Sequence, residues 1–413
     1  MMEQHDRLYR LYETVDTETI RAYQELVDLF PPLSSTVGLS QWESARTELD
    51  ERKAAIAEQF PEPYAEVAAH LTRDEAFTAL DLYAKYDRTV NVLVLDVDET
   101  LRSAGDTDNE IPRSTLHLLT EFHERGVPIV VCTGQTLENV KGFMIQGLGN
   151  DIVGSGSLSV VYETGNAVFT PGRGPDTKRL LYEGLDPVIV ETFDEVRGRV
   201  LSDAPDGVRR GCHLQGNEFN VTIKPNAEVG SEAAVAVIDE AVRYFCGLVG
   251  DCLDRAVDAE VAHPGLLART HFATDPEIAR VFDEGGVAHD GDLEAAPEAF
   301  IDTLERLDVG YYEGDAAELV SLELDKPTGV REALDVLDID RPFALAMGDS
   351  KSDLRVMEWL AETDCGIAAA PDHASEAVLD HVTDRDELVY EAGEASTILR
   401  IAYGMELLAG VDE

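Results

Sequence analysis

The stretch Val92-Leu93-Val94-Leu95-Asp96-Val97-Asp98-Glu99-Thr100 decides the fold prediction for this chain. Its four consecutive apolar residues predict a short strand buried on both faces, as in a parallel sheet. Two carboxylates, Asp96 and Asp98, follow this strand at once. Sites in open α/β sheets form at the carboxyl ends of strands, and two carboxylates leaving one strand can bind the same divalent cation. The alternative at this point is an Asx turn, which needs no ligand.

Short apolar runs and helical segments alternate on the C-terminal side of this stretch. The pattern predicts strands at 128–132, 158–162, 167–169, 343–347 and 365–369, and helices at 114–125, 137–148, 327–337 and 352–361. Strands separated by helices of this length are typical of an α/β fold with a doubly wound parallel sheet.

Residues 1–88 have a different, helical pattern. Apolar residues at helical spacing predict three runs: Leu8 to Phe30, ended by Pro31-Pro32; Gln41 to Phe60, with Ser40 as N-cap; and Pro63 to Tyr86. No titratable cluster in this region suggests chemistry. We therefore expect an N-terminal helical extension that packs on the rest of the chain or forms a homo-oligomer.

Residues 177–323 also depart from the alternation. Helices at 187–201 and 231–248 flank a strand-like segment at 218–223, and strands at 309–312 and 318–324 close the region. This mixture predicts an α+β insertion within the α/β domain. The expected organisation is a helical extension (1–88), the first part of the core (89–176), the insertion (177–323) and the second part of the core (324–413).

Three further groups of chemically active residues lie at the ends of predicted elements. Thr133-Gly134 follows a strand, where a hydroxyl and a free N–H can hold a phosphate oxygen, although most such pairs are simple turns. Lys326 precedes Pro327 at a helix start, where its charge opposes the helix dipole unless an anion binds there; the alternative is a solvated lysine. Gly348-Asp349-Ser350-Lys351-Ser352-Asp353 adds two carboxylates in a strand-to-helix turn.

The order of these four groups resembles the haloacid dehalogenase (HAD) superfamily of phosphohydrolases. Its motifs are DxDx[TV] after the first strand, Ser or Thr after the second, Lys before a helix, and GDxxxD after a later strand. All four occur here within residues 90–400. The insertion resembles the C2-type cap of the Cof-like, sugar-phosphate and phosphoglycolate phosphatases. Val161-Tyr162-Glu163-Thr164-Gly165-Asn166-Ala167 is similar to the "ENGA" turn of that branch.

The resemblance implies a Mg²⁺-dependent phosphatase. Asp96 would be the nucleophile that forms an aspartyl-phosphate, and Asp98 the general acid and base. Mg²⁺ would bind Asp96, the backbone carbonyl of Asp98 and Asp349, with Asp353 orienting or completing this set. The transferring phosphoryl group would be held by the residues of the second and third motifs: Thr133, Gly134 and Lys326.

Three positions depart from the family pattern. Glu99 stands where the capped branch usually has glycine, Lys326-Pro327 replaces the commoner Lys-Gly, and Lys351-Ser352 replaces the frequent Xaa-Asn.

The sequence of the cap gives little information on the substrate. Its basic residues Arg209, Arg210, His213 and Lys224 could meet a phosphosugar, but such residues more often pair with neighbouring acids.

The implied substrate is a small phosphorylated metabolite. Sugar phosphates of the trehalose-phosphate or sucrose-phosphate type rank ahead of phosphoglycolate. Two alternatives stay open: a phosphotransferase or phosphomutase on the same motifs, and a regulatory or binding protein with a vestigial core. All four motifs being intact argues against the second.

The charge of the chain narrows the class of protein further. With 33 Lys+Arg against 82 Asp+Glu, the formal net charge over 413 residues is −49. Such a surface repels phosphate backbones and anionic lipids, so we expect no nucleic-acid or membrane partner. Lysine occurs only seven times. A large acidic excess with little lysine resembles the proteins of salt-accumulating halophilic archaea, because molar salt shortens the Debye length to about 3 Å.

The sequence also bears on the compartment. Five cysteines without a CxxC pair favour neither a disulfide framework nor a zinc site. No apolar stretch approaches the roughly 18 residues of a membrane span, and Met1-Met2-Glu3-Gln4-His5-Asp6 lacks the pattern of a signal peptide. We therefore expect a cytoplasmic protein.

Overall fold

The computed structural model describes residues 2–29, 36–102, 110–216 and 219–411. The strands are β1 (Val92–Leu95), β2 (Ile129–Cys132), β3 (Leu158–Tyr162), β4 (Ala167–Phe169), β5 (Arg179–Leu180), β6 (Cys212–Gln215), β7 (Asn220–Pro225), β8 (Leu307–Tyr312), β9 (Ala316–Ser321), β10 (Ala344–Met347), β11 (Gly366–Pro371) and β12 (Leu388–Tyr390).

The α-helices occur mainly before β1, within the insertion and between the later strands. They are α1 (Met2–Thr14), α2 (Thr17–Leu29), α3 (Thr36–Ala57), α4 (Pro63–His70), α5 (Arg73–Tyr86), α6 (Arg113–Glu124), α7 (Leu137–Phe143), α8 (Gly149–Val153), α9 (Pro187–Arg199), α10 (Asp206–Gly211), α11 (Ser231–Val257), α12 (Pro264–Phe272), α13 (Pro276–Gly285), α14 (Glu298–Leu304), α15 (Lys326–Val336), α16 (Lys351–Glu362), α17 (Glu376–Asp384) and α18 (Ala395–Ala409).

The chain forms two compact units. The first comprises Met1–Val161, Phe169–Lys178 and Val330–Glu413, and the second comprises Tyr162–Val168 and Arg179–Gly329. The N-terminal helices thus belong to the same unit as β1, and the division near the C-terminus falls within α15.

The first unit contains a parallel sheet in the order β12-β11-β10-β1-β2-β3. The chain runs from β1 through β2 to β3 and later returns to β10 on the other side of β1. The direction of winding therefore reverses between β1 and β10, where Leu95 pairs with Met347. Ligands of doubly wound sheets bind at such a reversal, outside the carboxyl ends of the strands.

The apolar composition of β1, β2 and β10 explains their central place. Each has four residues, and all four are buried in each strand. Helices cover both faces of a parallel sheet, so a strand inside it tolerates no polar alternation. The predicted doubly wound α/β sheet is confirmed.

The N-terminal helices are shorter than the sequence pattern predicted. The run from Leu8 to Phe30 is divided between α1 and α2, because Asp16 accepts hydrogen bonds from the backbone N–H (3.2 Å) and hydroxyl (2.7 Å) of Thr19. A side chain that caps a new helix in this way ends the preceding one. The predicted stop at Pro31-Pro32 lies outside the described residues.

The other two helical predictions in this region also need correction. α3 begins at Thr36, so Ser40 is inside the helix and is not its N-cap. The predicted run from Pro63 to Tyr86 is divided between α4 and α5. There Thr72 and Glu75 form a capping box, in which each side chain accepts a hydrogen bond from the other residue's backbone N–H.

These helices pack on the parallel-sheet part of the same unit. α4 and α5 pack against α18, and α2 packs against α6. The Arg400 guanidinium donates to the Glu75 carboxylate at 2.8 Å, and the Tyr12 hydroxyl donates to the Leu71 carbonyl at 3.0 Å.

The second unit is built on an antiparallel sheet with the order β6-β7-β9-β8. Alternate residues of its strands point to opposite faces. Val221 and Ile223 of β7 belong to a buried apolar core with α9 and α11, whereas Asn220 and Thr222 lie on the other face. The expected α+β character of the inserted region is confirmed.

One helix of the parallel-sheet unit differs from its predicted form. The segment predicted at 137–148 comprises α7 and a π-helical turn at Met144–Leu148, after which α8 begins. Among the described residues, no helix is both long and apolar enough to cross a membrane.

Candidate active site

Three carboxylates converge at the reversal between β1 and β10. Asp96 directly follows β1, Asp349 follows β10 after one glycine, and Asp353 lies in the first turn of α16. The Asp96 N–H donates to the Met347 carbonyl at 2.9 Å, which fixes the two strand ends together. One oxygen from each of the three carboxylates lies within 4.8 Å of the others. The structure thus brings together Asp96, Asp349 and Asp353, three of the residues that the sequence predicted.

The cluster lies in a setting that makes its negative charge costly. Asp96 is 6% exposed and Asp353 is 4% exposed. Burial raises the pKa of the nearby Tyr390 phenol well above its ordinary value, and the negative charges of Asp349, Asp96 and Asp353 raise it further. This phenol donates a hydrogen bond to the Thr100 carbonyl at 3.2 Å. Tyr390 therefore stays a neutral hydrogen-bond donor beside the carboxylates.

The start of α16 holds one of these carboxylates in place. Both the backbone N–H (3.2 Å) and the hydroxyl (2.6 Å) of Ser350 donate to the same oxygen of Asp353. The other oxygen is not used in these bonds. The turn after β10 thus presents Asp349 and Asp353 with fixed geometry.

The donor set of the cluster fits a small, hard divalent cation. Carboxylate oxygens are the ligands that Mg²⁺ and Ca²⁺ prefer, and like charges this close need a cation to offset their repulsion. Each of Asp96, Asp349 and Asp353 offers one oxygen to a common point. These residues could therefore hold such an ion.

Both carboxylate oxygens of Asp98, two residues after Asp96, accept hydrogen bonds. Arg102 donates to Oδ1 from Nε (2.9 Å) and from Nη2 (2.6 Å), and the Gln135 side-chain amide donates to Oδ2. The backbone N–H of Gln135 in turn donates to the Thr133 hydroxyl at 3.1 Å. Asp98 and Thr133, both predicted site residues, are therefore connected through Gln135.

The turn after β2 presents the second motif. Thr133 is 1% exposed, and its backbone N–H donates to the Val161 carbonyl at 2.9 Å. Gly134 is exposed, so its peptide faces solvent. These two residues follow the strand adjacent to β1, at the same edge of the sheet as Asp96.

Lys326 lies in the second compact unit, as the first residue of α15. It is only 3% exposed, so the alternative of a solvated lysine is wrong. A Cβ on Gly165, which has φ +97°, would lie 2.1 Å from the Asp325 carbonyl oxygen. The turn at Gly165 therefore packs directly on the backbone before Lys326. The position of Lys326 relative to the carboxylates stays a prediction.

One departure from the family pattern and three basic residues of the cap have clear local structures. Glu99 has φ +57°, a left-handed conformation that glycine adopts more readily than other residues, which explains why a glycine is usual there. In the cap, Arg209 and Arg210 pair with Asp206, and Lys224 pairs with Asp315 at 3.1 Å. The interpretation of these cap residues as partners of neighbouring acids is confirmed for the three.

Sequence reasoning missed four residues of this site: Arg102, Gln135, Ser350 and Tyr390. Gln135 directly follows Thr133-Gly134, and Ser350 lies within the last motif, so both stood beside recognised residues. Tyr390 ends the short edge strand β12. Nothing in its local sequence connects it with Asp96.

Comparisons with known proteins give structural matches alone: no protein-family model and no curated protein matches the chain. A trehalose-6-phosphate phosphatase from Aspergillus fumigatus is 12% identical, with a TM-score of 0.42, over 81% of this chain and 97% of its own. A haloacid dehalogenase-like hydrolase from Bacteroides thetaiotaomicron is 14% identical, with a TM-score of 0.41, over 76% of this chain and 98% of its own.

A phosphatase of the haloalkanoate (HAD) enzyme superfamily, also from Bacteroides thetaiotaomicron, gives similar figures. It is 15% identical to this chain, with a TM-score of 0.43, over 77% of this chain and 96% of its own. Because identities and scores are low in all three cases, the argument for function rests on the residues of the site itself.

Proposed function

We propose that the chain is a Mg²⁺-dependent phosphomonoester hydrolase that acts through an aspartyl-phosphate intermediate. The observation that carries this proposal is the convergence of Asp96, Asp349 and Asp353, with one oxygen of each within 4.8 Å of the others, at the reversal of the sheet. Mg²⁺ bound there would offset the charge of the carboxylates and of an incoming phosphate ester. The four motifs in HAD order support the same assignment.

The chemistry divides between two carboxylates. An oxygen of Asp96 attacks phosphorus, so that an Asp96–phosphorus bond forms while the bond to the leaving oxygen breaks. Asp98 gives its proton to that leaving oxygen. In the second half, Asp98 takes a proton from water as the water oxygen bonds to phosphorus, and the Asp96–phosphorus bond breaks. Inorganic phosphate leaves, and both aspartates return to their starting state.

The remaining predicted residues would bind the phosphoryl group. The Thr133 hydroxyl and the Gly134 N–H follow β2, at the same sheet edge as Asp96, and can donate to its oxygens. Lys326 would neutralise charge on the same group. A buried lysine at the start of a helix supports this role, because such a cation opposes the helix dipole unless an anion binds nearby.

For the substrate, we propose a small phosphorylated metabolite. A sugar phosphate of the trehalose-phosphate or sucrose-phosphate type ranks ahead of phosphoglycolate. The resemblance of the inserted segment to the C2-type cap of sugar-phosphate phosphatases supports this ranking.

The test is phosphate release in molar KCl, with 4-nitrophenyl phosphate and a panel of sugar phosphates, in Mg²⁺ or in EDTA. We expect release that requires Mg²⁺ and is abolished by Asp96→Asn. Glu66→Gln, which changes a carboxylate on the N-terminal helices, is the matched control and should keep full activity. Folded protein that releases no phosphate from any ester would overturn the proposal, and phosphoryl transfer between sugar positions would replace it with a mutase.

The solution conditions belong to the same proposal: a cytoplasmic protein of a halophilic archaeon that folds in concentrated salt. The net charge of −49 supports this, because self-repulsion on that scale is screened best by molar salt. We expect the melting temperature to fall between about 3 M and 0.1 M KCl, where screening differs most. Sedimentation with and without residues 1–88 tests whether the N-terminal helices also form a homo-oligomer.

A further inference from the structure

The side chain of Asp98 is fixed by two residues that the four motifs do not include. Val97 accepts backbone hydrogen bonds from Leu101 (3.1 Å) and Arg102 (3.2 Å), so the chain turns back on itself after β1. This turn places the Arg102 guanidinium on Asp98 Oδ1, with Nε at 2.9 Å and Nη2 at 2.6 Å. Gln135, from the turn after β2, donates to Oδ2. Two turns of the sheet edge thus hold one carboxylate from both sides.

Stability alone is a poor explanation for this arrangement. The Asp98 side chain is 43% exposed, whereas that of Arg102 is 18% exposed. Ion pairs with an accessible partner contribute little to the free energy of unfolding. Here a mostly buried guanidinium donates two N–H groups to an accessible carboxylate. The main effect of such a contact is to restrict the orientation of that carboxylate.

Arg102 and Gln135 offer chemically different groups to Asp98. Arg102 has only N–H donors, and two of them already bind Oδ1. Gln135 has an amide that can donate through Nε2 or accept through Oε1. The two oxygens of Asp98 are therefore held by different groups: Oδ1 by the guanidinium of Arg102 and Oδ2 by the side-chain amide of Gln135.

We propose that Arg102 and Gln135 are positioning residues for the proton transfers of Asp98. Arg102 fixes Oδ1, and Gln135 fixes Oδ2. The inference rests on the proposed function, because it assigns Asp98 the acid and base steps. In the first step the proton of Oδ2 passes to the leaving oxygen as its bond to phosphorus breaks. In the second, Oδ2 takes a proton from the attacking water.

The leaving group separates these two steps experimentally. A 4-nitrophenolate leaves without a proton, so kcat/KM for 4-nitrophenyl phosphate does not need the acid. Every substrate needs the base, because hydrolysis of the aspartyl-phosphate is common to all. Misplacing Asp98 should therefore lower kcat for every substrate, but lower kcat/KM only for an alkyl phosphate such as glycerol phosphate.

The variants are Arg102→Gln and Gln135→Leu, measured in Mg²⁺ by steady-state and rapid-mixing kinetics. For both we expect a fall of about 10²-fold in kcat/KM for glycerol phosphate, and a change of less than about 3-fold for 4-nitrophenyl phosphate. A burst of one 4-nitrophenolate per enzyme should precede a slow steady state, because the aspartyl-phosphate accumulates. Arg102→Lys, which keeps a cation with N–H donors, should recover part of the alkyl-phosphate activity.

A matched control is Arg52→Gln, which removes a guanidinium bound to Glu48 at the same spacing of four residues, with Nε at 2.8 Å. It should show no burst and unchanged ratios. If wild-type protein cleaves both esters but Arg102→Gln and Gln135→Leu lower kcat/KM equally for each, without a burst, the positioning role is wrong. If the wild type releases phosphate from no ester, the sugar phosphates included, the proposed function itself fails, and the inference fails with it.

Discussion

Two groups of carboxylates within the first unit have opposite surroundings. At the carboxyl ends of the central strands β1 and β10, Asp96, Asp349 and Asp353 face one another, and this group is named the sheet-edge cluster. The second group, here named the helix-interface cluster, lies among the N-terminal helices α2, α3 and α4 and at the contact of α2 with α6. There Asp28 lies 3.3 Å from His117, and Glu66 lies 3.3 Å from His70 and 2.8 Å from Lys53.

The pKa shifts show the difference between the two groups. Burial raises the pKa of Tyr390 at the sheet edge, and the three carboxylates there raise it further. In the helix-interface cluster, burial raises the pKa of Glu66, but hydrogen bonds and charge from His70 and Lys53 outweigh this and lower it to about 2. Burial likewise opposes the lowered pKa of Asp28, where His117 is the main cause of the net shift.

The comparison contrasts carboxylates that join helices with carboxylates that could share a metal ion. In the helix-interface cluster, Asp28 and Glu66 pair with basic side chains of the helices and so join the helices to one another. In the sheet-edge cluster, three carboxylates offer oxygens to a common point, where a divalent cation would offset their mutual repulsion. We therefore expect the stabilisation by the helix-interface cluster to depend on pH, and the stability and function of the sheet-edge cluster to depend on metal.

The largest effect should come from removing one sheet-edge carboxylate. Asp349→Asn takes away a ligand oxygen and weakens the stabilisation of charge in the transition state. We expect kcat/KM for phosphate esters to fall about 10³-fold, equivalent to about 4 kcal/mol. The corresponding change in the helix-interface cluster, Asp28→Asn, should leave kcat/KM within about 3-fold of wild type. Equal losses of kcat/KM in the two variants would contradict the proposed functional difference between the clusters.

The next effect is on stability, through metal binding. A ligand that binds only the folded state at 100 times its Kd adds about 2.7 kcal/mol to the free energy of unfolding. Saturating Mg²⁺ should therefore raise the melting temperature of the wild type and of Asp28→Asn, but not of Asp349→Asn. Calorimetry in fixed KCl separates this from general screening. A rise of the same size in Asp349→Asn would mean that Mg²⁺ acts elsewhere.

The third prediction concerns pH and the helix-interface cluster. The hydrogen bond to Asp28 raises the pKa of His117 above 6.5, so its stabilisation is complete below pH 6.5 and is lost as pH rises through the raised pKa. Asp28→Asn should lower the free energy of unfolding by about 2 kcal/mol at pH 6. It should also remove much of the fall in that free energy as pH rises. Urea unfolding from pH 5 to pH 9 measures both. A decline that is as steep in Asp28→Asn as in the wild type would contradict the prediction.

The helix-interface cluster should also lose stability at acid pH, because the stabilisation by Glu66 is lost as pH falls and not as pH rises. The pKa of Glu66 is lowered from 4.5 to about 2, so its stabilisation is present above pH 4.5 and is lost as pH falls toward 2. Glu66→Gln should reduce this loss and leave the alkaline side unchanged.

The sequence predicted β1, β10 and the sheet-edge carboxylates well, because a buried strand and the turn after it are encoded by neighbouring residues. It did not predict the ends of the N-terminal helices. Asp16 and Thr72 fit the polar face of a continuous helix, and only their bonds to Thr19 and Glu75 show that they are caps. Tyr390 reaches the site through the order of the strands, which local patterns do not contain.

The smallest effects should come from the helix caps, one in each region. The Thr72 hydroxyl accepts from the Glu75 N–H at the start of α5, and the Ser350 hydroxyl donates to Asp353 at the start of α16. Thr72→Ala and Ser350→Ala should each lower the free energy of unfolding by about 1 kcal/mol. Only Ser350→Ala should also lower kcat, by roughly 10-fold, because it frees a carboxylate of the metal site to move. Parallel urea titrations and phosphate-release assays measure both quantities. Should the two variants lose stability alike and keep the same kcat, then Asp353 is fixed by the rest of its surroundings, and the sheet-edge cluster is less dependent on its cap than the contacts of Ser350 indicate.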